Sequence, residues 1–196
     1  MKRITKAALG GVAGCAIVLG GTQLASGLSS LITNYPYEGE VVNLPAAGAF
    51  DHASAALTVK VAPEGTDFKV DFTGIDVTAL EPYPDEDAFG AHLHTGVCNK
   101  KDASKAGPHY NHEVVALGYS VAEAEISPNT EVWFNLVPNA DGEATDSTFV
   151  PFVPVDPDGV MSIVVHVDPT NTTTGGAGAR QACFPLDVSD WAPTAP

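Results

Sequence analysis

The chain has few basic residues: nine Lys and Arg stand against 24 Asp and Glu in 196 residues, giving a formal net charge of −15 at pH 7. A surface this acidic repels polyanions, so nucleic acid and anionic membranes are poor candidates as partners. Three of the nine basic residues, Lys2, Arg3 and Lys6, fall in the first six positions. The rest of the chain is therefore more acidic still.

Extended helical periodicity and internal repeats are also missing. Short segments of alternating or β-branched residues take their place, separated by turns that draw on 19 Gly and 15 Pro. This pattern predicts an all-β sandwich of seven or eight short strands. The predicted strands cover residues 55–61, 68–72, 89–94, 131–137, 148–155, 161–167 and 181–188.

The N-terminus has the features of an export signal. Its basic start is followed by an uncharged apolar run over residues 7–21 and by the small residues Ala25-Ser26-Gly27. We therefore expect a signal peptide over 1–27 and an extracytoplasmic protein, either secreted or held in the cell envelope. The alternative of a transmembrane anchor is disfavoured because the run is short and rich in glycine.

Two further expectations concern the regions around and after this signal. Val12-Ala13-Gly14-Cys15 resembles a lipobox, so a lipid anchor at Cys15 is a second hypothesis for attachment to the envelope. Residues 28–48 are predicted to be a flexible linker, and residues 49–190 the folded domain.

Cysteine is scarce, with three in the chain. Once Cys15 is assigned to the signal, Cys98 and Cys183 remain. In an oxidising compartment such a pair suggests a disulfide. The alternative is two buried free thiols.

Four of the six histidines stand in informative settings. His92 and His94 are separated by one residue in a predicted strand, so both side chains leave one face as a two-nitrogen clamp suited to copper or zinc. Exposed pairs of this kind also occur without metal. His109 follows Gly107-Pro108 in a rigid turn. His166 lies in a β-branched strand, where by itself it would be interpreted as a core histidine.

These segments together resemble the copper/zinc superoxide dismutase family. Residues 89–94 (FGAHLH) and 107–111 (GPHYN) are similar to its copper-binding signature, and residues 164–166 (VVH) to the strand of its fourth copper ligand. Residues 176–183 (GAGARQAC) are similar to its C-terminal signature. The resemblance extends over residues 55–188 with the motifs in order.

The resemblance implies a Greek-key β-sandwich or flattened barrel of about eight antiparallel strands. It also implies a copper ion ligated by His92, His94, His109 and His166, with Arg180 guiding the superoxide anion to it. Cys98 and Cys183 would form the family's disulfide. The implied activity is dismutation of superoxide to oxygen and hydrogen peroxide.

The sequence departs from the family at the zinc site. Between His109 and Asn135 it offers only His112, too close to match either missing zinc histidine, and no Asp lies near Val132. We therefore expect copper without zinc, as in the copper-only branch of the family. The segment from His166 to Cys183 is also short and poor in charge, which would open the copper to solvent.

In the copper-only branch a glutamate can take the place of zinc as the outer partner of a copper-ligating histidine. Glu131 is the candidate here, accepting a hydrogen bond from the His109 ring. The alternative is a surface acid at the start of a strand. His112 is predicted to be a solvated loop residue, and His52 to be incidental.

Two other functions stay open on the sequence. One is an envelope protein that stores or delivers copper without useful turnover, which the missing zinc site and the short loop favour. The other is a structural sandwich with vestigial histidines, which the retention of all four histidines together with Arg180 disfavours.

Overall fold

The computed structural model describes residues 33–44, 48–80, 88–155 and 159–188. The signal peptide prediction and Cys15 lie outside the described residues. The strands are β1 (Thr33–Glu40), β2 (Val42–Asn43), β3 (Ser54–Ala62), β4 (Gly65–Thr73), β5 (Phe89–His94), β6 (Trp133–Leu136), β7 (Ala144–Val150), β8 (Val160–His166) and β9 (Arg180–Asp187). A 3₁₀ turn, Ala103–Ala106, and a short helix α1, His112–Val115, lie between β5 and β6.

The strands form two antiparallel sheets, which confirms the predicted β-sandwich. The first sheet has the order β1-β3-β4-β7 and the second the order β2-β9-β8-β5-β6. Strands β4 and β7, like β5 and β8, are neighbours in a sheet although other strands separate them in sequence, as Greek-key connections require. Among the described residues the two sheets do not close into a barrel, so the sandwich is the better of the two predicted descriptions.

Aromatic side chains fill the space between the two sheets. Phe68 and Phe72 from β4 belong to the same core cluster as Phe134 from β6 and Phe184 from β9, and each is fully buried. The alternation of apolar and polar residues in β3 and β4 turns one face of the first sheet inward and leaves the other near water. The predicted hairpin over these two strands is therefore confirmed.

The linker expected over residues 28–48 is wrong for its described part. β1 pairs with β3 over eight residues, from Thr33 opposite Val61 to Glu40 opposite Ser54. Tyr35 and Tyr37, which flank Pro36 and lie on one face of the strand, pack against the core. The strand tolerates Pro36 because β1 lies at the edge of its sheet, where a missing N–H need not break a ladder.

The strand expected over residues 148–155 is also shifted. β7 runs from Ala144 to Val150 and pairs with β4 as far as the Val150–Thr66 pair. The ladder ends there because Pro151 follows, and proline has no N–H to donate. Within the part of the chain that the structure describes, no helix is long and apolar enough to cross a membrane.

Candidate metal centre

The first two histidines of the site come from β5, a central strand of the second sheet. His92 lies opposite Trp133 of β6 and Val164 of β8, and His94 lies opposite Ser162 of β8. Because they are two residues apart, both rings leave the face of the sheet that points away from the core. Both rings are nevertheless fully buried.

His109 reaches the same place from the loop that follows β5. An isolated bridge pairs it with His94, and the Tyr110 N–H donates to the carbonyl of Leu93 at 2.7 Å. The turn into this bridge requires a positive φ of 73° at Gly107, a backbone conformation that glycine adopts without cost. The predicted rigid turn therefore sets the direction of the His109 ring.

His166 ends β8 at an irregularity of the ladder. Val165 pairs with Ala182, but His166 pairs with Arg180, so a bulge on β9 leaves Gln181 without a partner in the register. Bulges re-aim the side chains beside them. This one lies next to both His166 and Arg180.

The structure brings all four predicted histidines together. One nitrogen from each of His92, His94, His109 and His166 lies within 4.8 Å of the other three. Four imidazoles at one point form a donor set that suits copper or zinc. The interpretation of His166 as an isolated core histidine is therefore wrong.

Hydrogen bonds determine which nitrogen of each ring is available. Nδ1 of His94 lies 3.0 Å from the Gly107 carbonyl oxygen, Nδ1 of His166 lies 3.1 Å from that of Gly178, and Nδ1 of His109 lies 3.0 Å from Oε2 of Glu131. Each of these acceptors requires a proton on Nδ1, which leaves the lone pair of Nε2 free.

His92 is oriented the other way round. Its Nε2 lies 2.9 Å from Oγ1 of Thr170, while its buried Nδ1 has no hydrogen-bond partner. Nε2 of His94 and Nε2 of His166 face each other at 3.3 Å. Two facing lone pairs and an orphaned buried nitrogen are unfavourable in a closed protein interior, and a metal ion among them removes both problems. The residues therefore fit a metal.

The electrostatics of the site keep these nitrogens unprotonated. Burial lowers the pKa of His94 to about 2 and that of His166 to about 4, and it also lowers the pKa of His92. Neutral imidazoles do not have to lose a proton before binding a metal at neutral pH.

Glu131 lies beside the cluster, as the interpretation of it as the outer partner of His109 requires. The carboxylate is buried, and its Oε2 accepts from His109 Nδ1 at 3.0 Å and from Trp133 Nε1 at 2.8 Å. Its Oε1 accepts from the Asn111 side-chain amide at 3.3 Å. The alternative interpretation of Glu131 as a surface acid is therefore wrong.

Arg180 begins β9 and lines a groove of about 540 Å³ together with His109, Glu131 and apolar residues of segment 114–126. Its guanidinium donates to the carbonyl of Ala103 at 2.6 Å and to the carbonyl of Gly107. The Gly107 carbonyl is also the partner of His94. Arg180 is thus tied to the loop that carries His109, and its cation faces the groove.

The two cysteines form a disulfide, as the family resemblance implied. The sulfurs of Cys98 and Cys183 are 1.99 Å apart, and the bond joins residues 85 positions apart in sequence. It ties the loop after β5 to β9, so the segment holding His109 cannot move away from the strand that holds Arg180.

Comparison with known families identifies this architecture. The family model for copper/zinc superoxide dismutase matches residues 55–184. The chain belongs to the copper/zinc superoxide dismutase family. No curated protein sequence matches it.

The remaining two histidines lie apart from the four-histidine cluster. His112 begins α1, where its ring stacks on Phe152 at 4.3 Å between centroids and its Nδ1 lies 3.2 Å from the Tyr110 hydroxyl. It is half-buried, so the prediction of a solvated loop residue is wrong. His52 lies exposed in a turn after Asp51.

Sequence reasoning missed two residues that contact this candidate metal centre. Trp133 donates a hydrogen bond to Glu131. The sequence could have predicted this contact, because the two residues are two positions apart in a predicted strand and so share a face. Thr170 contacts His92 from a Thr-rich loop, and nothing in that composition distinguishes it from its neighbours.

Proposed function

We propose that this chain is a copper-dependent superoxide dismutase, which converts two superoxide anions and two protons to oxygen and hydrogen peroxide. The observation that carries the proposal is the convergence of four imidazole nitrogens within 4.8 Å. Arg180 beside them supplies the cation that an anionic substrate needs.

In this mechanism His92 contributes Nδ1, and His94, His109 and His166 contribute Nε2. Copper, when bound, would supply the one-electron redox couple that dismutation requires. Arg180 attracts the anion and orients it by hydrogen bonds, since its guanidinium stays charged at neutral pH. Glu131 holds the proton of His109 on Nδ1 and so keeps Nε2 directed at the cluster.

We infer further that copper acts here without zinc. Nδ1 of His109, the nitrogen that points away from the cluster, is bonded to Glu131. His112, the one other histidine between His109 and Asn135, stacks on Phe152. Elemental analysis tests this inference, and one zinc per chain that is lost in His112→Ala would refute it.

An extracytoplasmic location is part of the proposal. The disulfide between Cys98 and Cys183 supports it, because such bonds persist in oxidising compartments. Residues 1–27 would be the export signal, with Cys15 as the alternative lipid attachment site. Mass spectrometry of the mature protein distinguishes the two, since a lipoprotein would begin at a modified Cys15.

The test of the proposed function combines metal content with superoxide decay. We expect one copper per chain and rapid decay for the natural protein, and neither for His166→Ala. The matched control is His52→Ala, which removes an exposed histidine and should change neither quantity. Stoichiometric copper without decay beyond that of free copper would refute the dismutase and indicate a copper-binding protein of the envelope.

A further inference from the structure

Each of the four histidines has one ring nitrogen that points away from the cluster and forms a hydrogen bond. His92 differs from the other three in the partner of this nitrogen. Backbone carbonyls hold His94 and His166, and a carboxylate holds His109. All three acceptors lack a proton and so impose one tautomer. His92 instead meets the hydroxyl of Thr170, which lies 78 residues later in the chain.

Thr170 is held firmly in this position. It is 9% exposed, and the loop around it is closed by bonds from Asp168 N–H to the Ala177 carbonyl at 2.9 Å and from Asn171 N–H to the Gly176 carbonyl at 2.8 Å. The loop is joined to β5 by the Gly90 N–H, which donates to the Asp168 carbonyl at 2.9 Å.

Gly90 provides the space that Thr170 needs. It lies two residues before His92 on the same face of β5, and a Cβ at Gly90 would come within 2.6 Å of Thr170 Oγ1. Any larger residue would displace the hydroxyl. The absence of a side chain at position 90 thus allows the Thr170 hydroxyl to reach His92.

We propose that Thr170 is a positioning residue that supplies the acceptor needed by the His92 tautomer protonated on Nε2, the tautomer that leaves the Nδ1 lone pair for the metal. The inference rests on the copper centre proposed above and goes beyond it. It assigns a metal-directing role to a residue of the loop between β8 and β9.

The alternative tautomer explains why the hydroxyl matters. With a proton on Nδ1, His92 could donate to a neighbouring imidazole, and the His109 ring is the nearest, with 4.1 Å between centroids. Without Thr170 Oγ1, a proton on Nε2 would lose its buried acceptor, so the ring would favour that alternative. The metal would then have to displace a proton from Nδ1, which weakens binding.

The test compares Thr170→Val, which keeps the shape and removes the hydroxyl, with Thr170→Ser, which keeps the hydroxyl. Thr172→Val, at an exposed position of the same loop, is the matched control. Three quantities are measured: the ¹⁵N shifts of the histidines in metal-free protein, the Cu(II) affinity against a competing chelator, and the Cu(II) electron paramagnetic resonance spectrum.

We expect Thr170→Val to move the His92 proton to Nδ1, to weaken Cu(II) binding about 10–100-fold and to alter the Cu(II) spectrum. Thr170→Ser and Thr172→Val should match the natural protein in all three. If Thr170→Val fails to fold, Thr170→Ala replaces it.

A Thr170→Val protein that melts earlier but keeps the tautomer and the affinity would overturn the proposal, because Thr170 would then be a packing residue only. Failure of Thr170→Ser to restore the affinity would do the same. A natural protein that binds Cu(II) without dismutating superoxide would refute the proposed function, while the tautomer and affinity measurements would still decide the role of Thr170.

Discussion

The two sheets of the sandwich bury their outward faces to very different extents. In the first sheet the outward face of β3, β4 and β7 lies near water and carries Lys60, Lys69 and Ser147. In the second sheet every residue of β5 is buried, and so is β8 from Met161 to His166. The outward face there is covered by the loops that follow β5 and β8.

The difference shows how a β-sandwich can hold a metal centre. An outward face is where a strand places its polar residues, and His92, His94 and His166 occupy such positions. Covering that face removes water without moving the imidazoles into the apolar core. A small second cluster of Leu44, Ala106, Val164 and Cys183 packs on the covered face and supports the site from outside.

Of the changes considered, breaking the disulfide should most destabilise the loops that cover the outward face of the second sheet. Replacing Cys98 and Cys183 together by Ala should lower the free energy of unfolding by about 4 kcal/mol, because the bond closes a long loop in the unfolded chain. Urea unfolding measures the loss, and the natural protein under reducing conditions should lose a similar amount. A loss below about 1 kcal/mol would mean that the covering loop is held without the bond.

The same substitution on the two outward faces should give different results. Ser162 of β8 is fully buried and donates to the Gly96 carbonyl at 2.9 Å, whereas Ser147 of β7 is exposed. Ser162→Ala should cost about 1–3 kcal/mol of unfolding free energy, because a buried acceptor loses its partner. Ser147→Ala should change it by less than about 0.5 kcal/mol. Equal effects would show that the two faces are equally accessible to water.

The two faces should also differ in their response to pH. Burial holds the pKa of His166 at about 4, below its ordinary value of 6.5. Between these values the unfolded chain binds more protons than the folded one, so the metal-free protein should lose stability as pH falls from about 6.5 to about 4.

In the first sheet Asp71 acts in a lower pH range. The hydrogen bond from Lys69 lowers the pKa of Asp71 from its ordinary value of 3.8, so its contribution is lost only as pH falls through and below that value. Urea unfolding across the pH range should therefore give a shallower slope between pH 4 and 6.5 for His166→Gln and an unchanged slope for Asp71→Asn. An unchanged slope in both variants would contradict the assignment to the buried histidines.

The sequence predicted strands of both sheets by their residue pattern, and it predicted the metal site by motif. Alternation identified β3 and β4, because one face of each meets water. Strands β5 and β8 have no such contrast in burial, but short segments of strand-like composition, β-branched in the case of β8, predicted them at 89–94 and 161–167. β1 was missed because Pro36 and the acids Glu38 and Glu40 are typical of a linker, while its pairing with β3 depends on tertiary structure.

The candidate site was predictable as far as its residues lie in motifs. Arg180 and the four histidines lie in motifs. Glu131 was predicted as the residue that could replace zinc beside His109. Thr170 was not, because its contact with His92 depends on the path of a loop and on the space left by Gly90. Neither the path of the loop nor this space can be predicted from the residues next to Thr170 in sequence.

The central claim is that the metal centre on the covered face of the second sheet dismutates superoxide. It is tested most directly by measuring superoxide decay in variants of Arg180. The copper-loaded natural protein, Arg180→Ala and Arg180→Lys are compared at rising ionic strength, with each rate divided by copper content. Arg180→Ala should lower the rate about tenfold or more, since a local cation must attract the anion to an acidic protein. The fall in rate with added salt, which the natural protein should show, should vanish in Arg180→Ala and persist in Arg180→Lys. Rates and salt dependence that are the same in all three proteins, or a natural protein no faster than free copper, would contradict the account.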